Sequence, residues 1–371
     1  MLQDHATNRA VHHAPRERSS ILRVLVTGHD GFIGTVLTPL LVERGHDVVG
    51  LDACLYADAA FGPQPPAIPT IGRDLRDVVA DDLAGVDAVV HLAAISNDPV
   101  GDLDPEITYD INHRATVRLA RAGKRAGASR FLFSSSCSLY GAAANDDILA
   151  EDAAFNPVTP YGHSKVLAEQ DLAELTDANF SPVYLRNATA YGVSPRLRTD
   201  IVVNDLTAHA LLDGDVLIKS DGTPWRPLVH VEDIARAFLA LLDAPRDTIH
   251  DQAFNVGLTS ENYQIRQIAD MVANAVPDSR ITYAEGAGPD KRSYRVDFSK
   301  IAERVPEFRP AWTVAKGVRQ LVDAYVREDL SADDFARGRY TRIATIQHLQ
   351  AAGDLGTDLR PTAPTAQGEP A

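Results

Sequence analysis

The sequence of 371 residues contains only two cysteines, Cys54 and Cys137, which excludes the disulfide framework of a small secreted protein. It has no apolar run near the ~18 residues of a membrane-spanning helix, so we expect no membrane partner. It also lacks histidines, cysteines and carboxylates at metal-ligand spacing, and we expect no metal. Residues 1–20 are polar and lack the apolar core of a signal peptide, so we expect a cytoplasmic protein.

Positively charged residues are also fewer than negatively charged ones. The chain has 36 lysines and arginines against 51 aspartates and glutamates, a formal net charge of -15. A chain with this balance repels the phosphate backbone, so we expect no nucleic acid partner. An anionic small ligand would need arginines placed locally around it. The hydrophobic fraction of 45% is typical of a globular protein with a substantial core.

Apolar, strand-like runs alternate with helical patterns through the first half of the sequence. The predicted strands are 21–27, 47–51, 87–91, 130–134 and 181–187, and the predicted helices include 32–44, 105–126, 160–175 and 204–212. Regular alternation is typical of a parallel sheet with helices on both faces. We therefore predict an α/β fold, a Rossmann-type doubly wound parallel sheet with a smaller C-terminal domain.

A glycine-rich segment, TGHDGFIG (27–34), connects the first strand to the first helix. Its three glycines permit a tight turn and let backbone N–H groups approach a pyrophosphate, while the helix N-terminus adds positive potential. Asp52 ends the second strand, where a carboxylate can bind the ribose hydroxyls and repel a 2′-phosphate. The pattern therefore predicts a dinucleotide site that prefers NAD over NADP.

Two further strand ends carry a polar group beside apolar or small residues. Asp74-Leu75 suits the adenine, and the end of His91-Leu92-Ala93-Ala94 suits the cofactor backbone, although ordinary strand ends can look the same. His91 itself is expected to be a packed strand-end histidine and not a catalyst.

The domain organisation follows from these patterns and from the end of the regular alternation of strands and helices after residue 188. The predicted parts are a disordered N-terminal arm (1–20), a dinucleotide-binding domain (21–188, with a return at about 228–256), a second domain (189–227 and 257–330), a helical extension (331–359) and a disordered tail (360–371). The proline-rich stretch 53–69 is expected to be a surface loop, either a passive insertion or a flap over the cofactor.

Tyr161 and Lys165 lie four residues apart in a predicted helix, with Thr159 as its N-cap and Pro160 in its first turn. This spacing places them on one helix face. A free tyrosine, with a pKa of about 10, is a weak base, and a nearby ammonium is expected to lower that pKa. Ser136 can supply a hydroxyl to the same substrate oxygen. An amphipathic helix with a solvated lysine is the alternative that the spacing alone leaves open.

Together these segments resemble the extended short-chain dehydrogenase/reductases, specifically the NAD-dependent epimerase/dehydratase family that acts on nucleotide sugars. The matching segments span about 21–300 in the family's order: TGHDGFIG (27–34), Asp52, DLRD (74–77), HLAA (91–94), Asn112, SSSCSLYG (134–141), YGHSK (161–165) and WRPLVHVEDIA (225–235). The resemblance implies bound NAD, a nucleotide-sugar substrate and a substrate-binding second domain. Family members often dimerise through the helices that correspond to 105–126 and 160–175, so we expect a homodimer.

The resemblance also implies roles for individual residues. Expected catalytic residues are Tyr161 as the base, Lys165 as its pKa partner and ribose anchor, Ser136 as the ligand of the substrate hydroxyl, and Asn112 on a neighbouring helix. Expected cofactor-binding residues are Gly28, Asp30, Gly31, Phe32, Ile33, Gly34, Asp52, Asp74, Leu75, Leu92, Ala93, Ala94, Ser134, Tyr161, Lys165, Asn187 and Ala188. Expected substrate-binding residues are Ser96, Ser136, Cys137, Ser138, Thr189, Asn204, Arg226 and Arg292.

Two arginines are expected near the phosphates of the sugar nucleotide. Arg226 falls where the family holds those phosphates, and Arg292 belongs to the segment DKR (290–292) in a late phosphate and ribose contact region. For Arg226, a surface charge packed on the ring of Trp225 is the alternative.

The sequence departs from the family's pattern at two places. Where the 4,6-dehydratases have an Asp-Glu pair that performs the elimination, this chain has Cys137-Ser138, which argues against dehydration. Epimerases commonly have an asparagine where this chain has Thr189, so the nucleotide base is left open.

We expect a nucleotide-sugar epimerase that inverts C4 through a transient 4-keto sugar. The enzyme alternatives are a keto-sugar reductase, a decarboxylase or a dehydratase of the same family. A catalytically silent dinucleotide-binding regulator is the alternative of another class, and the intact set of Ser136, Tyr161 and Lys165 argues against it.

Overall fold

The computed structural model describes residues 21–142, 147–286, 288 and 292–362. The predicted N-terminal arm lies outside these residues, and so does the predicted tail from residue 363 onward. Asp290 and Lys291, expected near the substrate phosphates, also lie outside them.

Strands and helices alternate along the described chain. The strands are β1 (Arg23–Thr27), β2 (Asp47–Asp52), β3 (Thr70–Gly72), β4 (Ala88–His91), β5 (Arg130–Ser136), β6 (Ile148–Leu149), β7 (Ser181–Asn187), β8 (Thr189–Tyr191), β9 (Asp215–Ile218), β10 (Trp225–His230), β11 (Gln252–Val256), β12 (Asn262–Gln264), β13 (Arg280–Tyr283) and β14 (Arg295–Val296). The helices are α1 (Gly34–Glu43), α2 (Asp98–Gly101), α3 (Pro105–Tyr109), α4 (Thr116–Ala126), α5 (Pro160–Ala173), α6 (Val202–Asp213), α7 (Val231–Asp243), α8 (Arg246–Ile249), α9 (Ile265–Ala275), α10 (Ser299–Arg304), α11 (Val314–Arg327), α12 (Ala332–Ala336) and α13 (Arg342–Ala352). None of the described helices is long and apolar enough to cross a membrane.

The central sheet has seven strands in the order β11–β7–β5–β4–β1–β2–β3, and all of its neighbouring strands are parallel. Its central strands are buried on both faces, which explains their continuous apolar runs. The direction of winding reverses between β1 and β4, so a crevice opens at the carboxyl ends of the strands there. The predicted α/β fold with a doubly wound parallel sheet is confirmed.

Helices cover both faces of this sheet. On one face α1 and α7 pack around Val24 and Val26, and on the other face α4 and α5 pack around Leu25 and Phe131. A separate core unites α6, α9 and α11 in the C-terminal half of the chain. The chain thus has a sheet domain with two helical layers and a smaller unit beside the crevice.

The return of the chain to the sheet begins later than the predicted residue 228. β10 pairs with β8 and β12 in a three-stranded sheet of its own. Strand β8 comes directly after β7 but lies outside the central sheet, and β10 pairs with β8 and therefore lies outside it as well. Helix α7 then packs on α1, and β11 is the strand that rejoins the central sheet beside β7.

The chain beyond α11 is ordered further than predicted, because residues 360–362 are anchored and not part of a disordered tail. Arg360 forms an ion pair with Asp77 (Nη1–Oδ2, 2.5 Å), and Pro361 pairs with Leu355. Arg76 donates to the carbonyl oxygens of residues 358 and 359 at 2.8 and 3.3 Å. These contacts hold the end of the described chain near the carboxyl end of β3.

Segment 53–69 is not a passive surface insertion. The ring of Phe61 packs edge-on against Tyr325 and Tyr340, with centroid distances of 5.9 and 5.8 Å. The same segment carries Leu55 and Tyr56 to the rim of the crevice. It therefore connects the sheet domain to the core of the smaller unit.

Candidate active site

A cleft of about 1080 Å³ lies at the carboxyl ends of the central strands. Every residue predicted to bind the cofactor lines this cleft, and so do Tyr161, Lys165 and Ser136. Of the predicted substrate residues, those that line it besides Ser136 are Ser96, Ser138, Thr189, Arg226 and Arg292. Three predicted site residues do not line the cleft: Asn112, Cys137 and Asn204.

The glycine-rich turn after β1 fits the diphosphate of a dinucleotide. Gly28 has a φ of +74°, and a Cβ there would lie 2.7 Å from the backbone nitrogen of Ala93. A Cβ on Gly34 would overlap the carbonyl oxygen of Gly28. Within the described chain no side chain caps the N-terminus of α1, although Thr35 and Val36 of its first turn already donate to the carbonyl oxygens of Gly31 and Ile33 at 3.1 Å. The positive potential of this helix end favours a phosphate.

Asp52 is fixed at the end of β2 by two backbone donors. Its carboxylate accepts the N–H of Asp30 at 3.0 Å and the N–H of Cys54 at 2.8 Å. Burial raises the pKa of Asp52, against the lowering effect of these two donors. The carboxylate therefore lies beside the glycine-rich turn, where the sequence places the adenosine ribose.

Asp74 lines the cleft, but its carboxylate already has a partner. Arg76 contacts it through Nη2 at 2.7 Å and through Nε at 3.0 Å, and its backbone N–H donates at 2.8 Å. These contacts lower the pKa of Asp74 against the effect of burial. The carboxylate is thus held by its own turn, and its predicted contact to the adenine remains a proposal.

Tyr161 lies in the first turn of α5, where the sequence placed it. Thr159 caps this helix by accepting the N–H of Gly162 at 3.2 Å, and Pro160 occupies the first turn. Burial raises the pKa of Tyr161 to about 12, while a hydrogen bond from Ser136 and the charge of Arg198 oppose this rise. The phenol therefore holds its proton until further positive charge enters the cleft.

Lys165 lies near Tyr161, as its spacing predicts, but burial lowers its own pKa. The ammonium of Lys165 donates to the carbonyl oxygen of Ser134 at 2.7 Å and lies 4.5 Å from the ring centre of Phe133. Its side chain is almost fully buried, and burial lowers the pKa of Lys165 to about 7. The ammonium also lies 5.7 Å from the ring centre of Tyr161, and the charge of Arg198 lowers the pKa of that phenol.

Asn112 is a positioning residue rather than a catalytic one. It lies in a π-helical turn, Asp110–Ala115, that joins α3 to α4 and interrupts the predicted helix 105–126. Its amide nitrogen donates to the carbonyl oxygen of Ile95 at 2.9 Å and to Ser164 at 3.2 Å, and its oxygen accepts the N–H of Ile95 at 2.8 Å. The side chain thereby ties the loop after β4 to the helix that carries Tyr161.

Cys137 faces the core and not the substrate. It is fully buried, its thiol donates to the carbonyl oxygen of Arg186 at 3.1 Å, and burial raises its pKa well above the usual value. Ser136 and Ser138 on either side line the cleft, and the chain passes between them from the end of β5 into a 3₁₀ turn, Cys137–Tyr140.

Asn204 is likewise structural. It is fully buried, and its amide nitrogen donates to the carbonyl oxygens of Gly192 and Arg198 at 2.9 and 2.8 Å. Its oxygen accepts the N–H of Gly192 at 2.9 Å. Asn204 thus fixes the loop that carries Arg198 to the cleft.

Arg226 is a buried arginine in the cleft wall, so it is not a surface charge. Only 9% of the residue is exposed, and Nη1 donates to the carbonyl oxygen of Trp225 at 2.9 Å and to the carbonyl oxygen of Arg292. Arg292 also lines the cleft and forms an ion pair with Asp98. The two arginines therefore lie together at the end of the cleft formed by β10 and α2.

His91 is a packed histidine, as the sequence suggested. Its ring nitrogens contact the hydroxyls of Thr27 and Thr116 at 2.6 and 2.7 Å, and burial lowers its pKa to about 3. It connects β1, β4 and α4 as a neutral ring. Within the described residues, no group of three or more histidines, cysteines or carboxylates could hold a metal ion.

Many residues of the cleft wall were not assigned to it from the sequence, among them Tyr56, Arg198 and Arg342. The run RLRTD (196–200), unusual in an acidic chain, is a signal that could have identified Arg198. No local signal points to Arg342, because the contact that places it joins residues 146 positions apart.

Comparison with known proteins identifies a family and several relatives of this chain. The model of the NAD dependent epimerase/dehydratase family matches residues 24–257. A UDP-glucose 4-epimerase from Mycolicibacterium smegmatis is 30% identical over 320 residues, covering 82% of this chain and 98% of that protein. UDP-glucuronic acid decarboxylase 1 from Arabidopsis thaliana is 25% identical over 321 residues, covering 84% of this chain and 72% of that protein. The solved structure of MoeE5 in complex with UDP-glucose and NAD has a TM-score of 0.71 at 30% identity, covering 83% of this chain and 100% of that one.

Proposed function

This chain belongs to the NAD-dependent epimerase/dehydratase family, and from that premise we propose that it is a nucleotide-sugar epimerase that inverts C4 through a 4-keto sugar. One observation carries the proposal. Tyr161 and Ser136 meet in the cleft beside Lys165, whereas the two positions after Ser136 offer no carboxylate for an elimination. One of those positions is a thiol in the core, and the other is a serine.

The cleft has places for each part of NAD. The glycine-rich turn and the uncapped end of α1 suit the diphosphate, and Asp52 suits the adenosine ribose. Asn187 lines the cleft with a buried side-chain oxygen that has no hydrogen-bond partner among the described residues, so it can accept from an amide donor. When bound, NAD supplies an acceptor that takes a hydride from the sugar carbon and returns it.

Residues of this chain would transfer the proton of the substrate hydroxyl. Tyr161 takes the proton of the C4 hydroxyl and later returns it, while the Ser136 hydroxyl contacts the same substrate oxygen. With a pKa of about 12, Tyr161 needs added positive charge, and Arg198 is the cation that already favours its phenolate. Lys165, with a pKa of about 7, adds charge to the cleft when it is protonated.

A panel of nucleotide sugars tests the proposal. Purified protein with NAD is incubated with UDP-glucose, UDP-N-acetylglucosamine, UDP-glucuronic acid and dTDP-glucose, and the products are analysed by NMR and mass spectrometry. A C4 epimer of unchanged mass is expected. Loss of water or of carbon dioxide would instead identify a dehydratase or a decarboxylase. A parallel incubation with NADH and a 4-keto nucleotide sugar, in which the sugar gains two hydrogens and NADH is oxidised, would identify a reductase.

Reaction in D₂O separates hydride return from proton exchange at carbon. Inversion by hydride removal and return brings no solvent proton to a ring carbon, so the product should carry no carbon-bound deuterium. Deuterium at C3 or C5 would contradict the proposal and would require a base in the cleft. Asp98 would then be the first residue to test, because its Oδ1 is buried without a hydrogen-bond partner among the described residues.

The expected homodimer also remains a proposal. α4 and α5 lie side by side on one outer face, and Leu167 of α5 is 38% exposed there. A second copy could cover this face with the same pair of helices. Light scattering after gel filtration should give twice the monomer mass, and Leu167→Arg should shift the protein toward monomer.

A further inference from the structure

The segment 331–362, which we call the C-terminal strap, crosses the cleft from the smaller unit to the central sheet. At its start, Arg339 donates to the carbonyl oxygen of Asp58 at 2.9 Å, and the carbonyl oxygen of Tyr340 accepts the N–H of Thr199 at 3.0 Å. Further on, Ile346 packs in an apolar cluster with Ile95, Val100, Leu355 and Leu359. Its last residues are held by the contacts to Arg76 and Asp77 described above. The strap is therefore fixed on both sides of the cleft.

Arg342 is the charged residue that the strap brings to the cleft. The residue is only 4% exposed, and its guanidinium lies 4.2 Å from the ring centre of Tyr56. Nη2 donates to the carbonyl oxygen of Arg196 at 3.3 Å, and the backbone N–H donates to Asp200 at 3.2 Å. Nη1 is buried and has no hydrogen-bond partner among the described residues. A buried donor of this kind normally has a partner, and a ligand is the missing one.

The charges around Arg342 point to an anionic partner. The neighbouring guanidinium groups are each matched by a carboxylate, Arg196 by Asp30 at 2.6 Å and Arg198 by Asp200 at 2.8 Å. Arg342 adds a third guanidinium, and no carboxylate in the described chain pairs with its side chain. Burial and the charge of Arg198 lower its pKa to about 10, and Tyr56 and Asp200 oppose this only in part. A buried charge without an ion-pair partner is costly, and an anion beside it would offset that cost.

The position of Arg342 indicates which anion this is. Through Arg196 it adjoins Asp30 in the glycine-rich turn, and through Arg198 it adjoins Ser96, whose hydroxyl lies 3.3 Å from Arg198. We propose that Arg342 binds a phosphate oxygen of a diphosphate in the cleft, so that the strap forms part of the ligand site. The diphosphate of NAD and that of a nucleotide sugar share this chemistry. The inference rests on the proposed binding of these ligands, but not on C4 epimerisation as the reaction.

Titrations by calorimetry on cofactor-free protein test the proposal. The variant is Arg342→Met, and the matched control is Arg337→Met, which removes an arginine of the same strap that is 74% exposed. The ligands are NAD, ADP-ribose, adenosine, UDP and uridine, which separate the two diphosphates from their nucleosides. Binding experiments of this kind are independent of turnover, so failure of this inference and failure of the proposed reaction remain distinct.

Arg342→Met should weaken NAD and ADP-ribose on the order of tenfold to a hundredfold, the usual size of a charge-assisted contact, and should leave adenosine unchanged. Weakening of UDP alone would also support the diphosphate site and would assign it to the nucleotide sugar. Unchanged binding of both diphosphates would overturn the proposal, and so would equal weakening of adenosine and NAD, which indicates a structural role. Should Arg342→Met fail to fold, the same titrations on Arg342→Gln decide between these outcomes.

Discussion

The floor and the roof of the cleft are held together by different forces. The floor consists of the glycine-rich turn, the ends of β2, β4 and β5, and the start of α5, where small residues and backbone groups leave no spare volume. The roof consists of 53–61, 193–200 and the strap, where arginines pair with carboxylates and carbonyl oxygens from distant parts of the chain. The floor is thus sensitive to volume, and the roof is sensitive to charge. The residues proposed for catalysis lie in the floor, and we expect the affinity for ligands to depend strongly on the charged residues of the roof.

The largest expected effect is at the floor. Tyr161→Phe should keep the fold and the affinity for NAD but lose ~10²–10⁴ in turnover, because a positioned acid or base is removed. Tyr263→Phe, which alters a phenol outside the cleft, is the matched control. The measurements are steady-state rates and calorimetric titration with NAD. Wild-type turnover in a folded Tyr161→Phe protein would refute the role of this residue.

Removal of a charged residue elsewhere in the cleft wall should have a different signature. Arg226→Ala removes a buried cation and is expected to raise KM on the order of tenfold to a hundredfold with little change in kcat, since a charge-assisted contact contributes ~1.5–3 kcal/mol. Arg236→Ala, which removes an arginine whose side chain is 40% exposed, serves as the control. A fall in kcat at constant KM would contradict this expectation and would place Arg226 at the chemistry.

A single methyl group tests the sensitivity of the floor to volume. Gly34→Ala should destabilise the protein by about 1–3 kcal/mol and weaken NAD, because the new Cβ overlaps the carbonyl oxygen of Gly28. In Gly72→Ala the new Cβ meets no atom within 4 Å, so this variant should behave like the wild type. Denaturant unfolding and NAD titration are the measurements. Equal stability of the two variants would show that the turn can move.

For a change of one pH unit, the smallest expected effect is the pH dependence of stability at Lys165. The folded pKa of about 7 lies below the unfolded value, so between about pH 7 and about pH 10 the unfolded state binds more protons. The free energy of unfolding of the wild type, relative to Lys165→Met, should therefore rise with pH across this window, by on the order of 1 kcal/mol per pH unit. Below about pH 7 the difference should be constant. Urea unfolding of both proteins without NAD is the measurement, and a difference that does not change with pH would mean that Lys165 stays charged when folded.

The floor could be predicted from the sequence because its constraints are local. The glycine-rich turn, Asp52 and the first turn of α5 are set by neighbours in the chain, and each lies at the cleft. Even so, spacing did not reveal the burial of Lys165, on which its pKa depends. Cys137 begins the 3₁₀ turn after β5, where strand alternation does not apply, and the family pattern favoured a place beside the substrate.

The roof could not be predicted in the same way because it depends on contacts between distant segments. Arg342 reaches the cleft only because the strap is anchored at Arg76, 282 positions before Asp358, and this contact leaves no mark in either local sequence. The stretch 53–69 looked like a loop because of its prolines, yet Phe61 is buried against Tyr325 and Tyr340. Irregular segments lack the hydrophobic periodicity of helices and strands, so the sequence does not show which of their charged and aromatic residues are buried.

The π-helical turn around Asn112 determines which side chains of the segment 105–126 face the apolar cluster under the strap and which face the central sheet. Residues before and within it, Ile107 and Ile111, pack on the apolar cluster under the strap, whereas Leu119 and Ala120 beyond it pack on the central sheet. One residue corresponds to about 100° of rotation in an α-helix. The turn therefore acts as an inserted residue that lets a single helix face both partners. Any insertion or deletion between its two ends would rotate one of these faces out of contact, and so the length of this helix is as constrained as its composition.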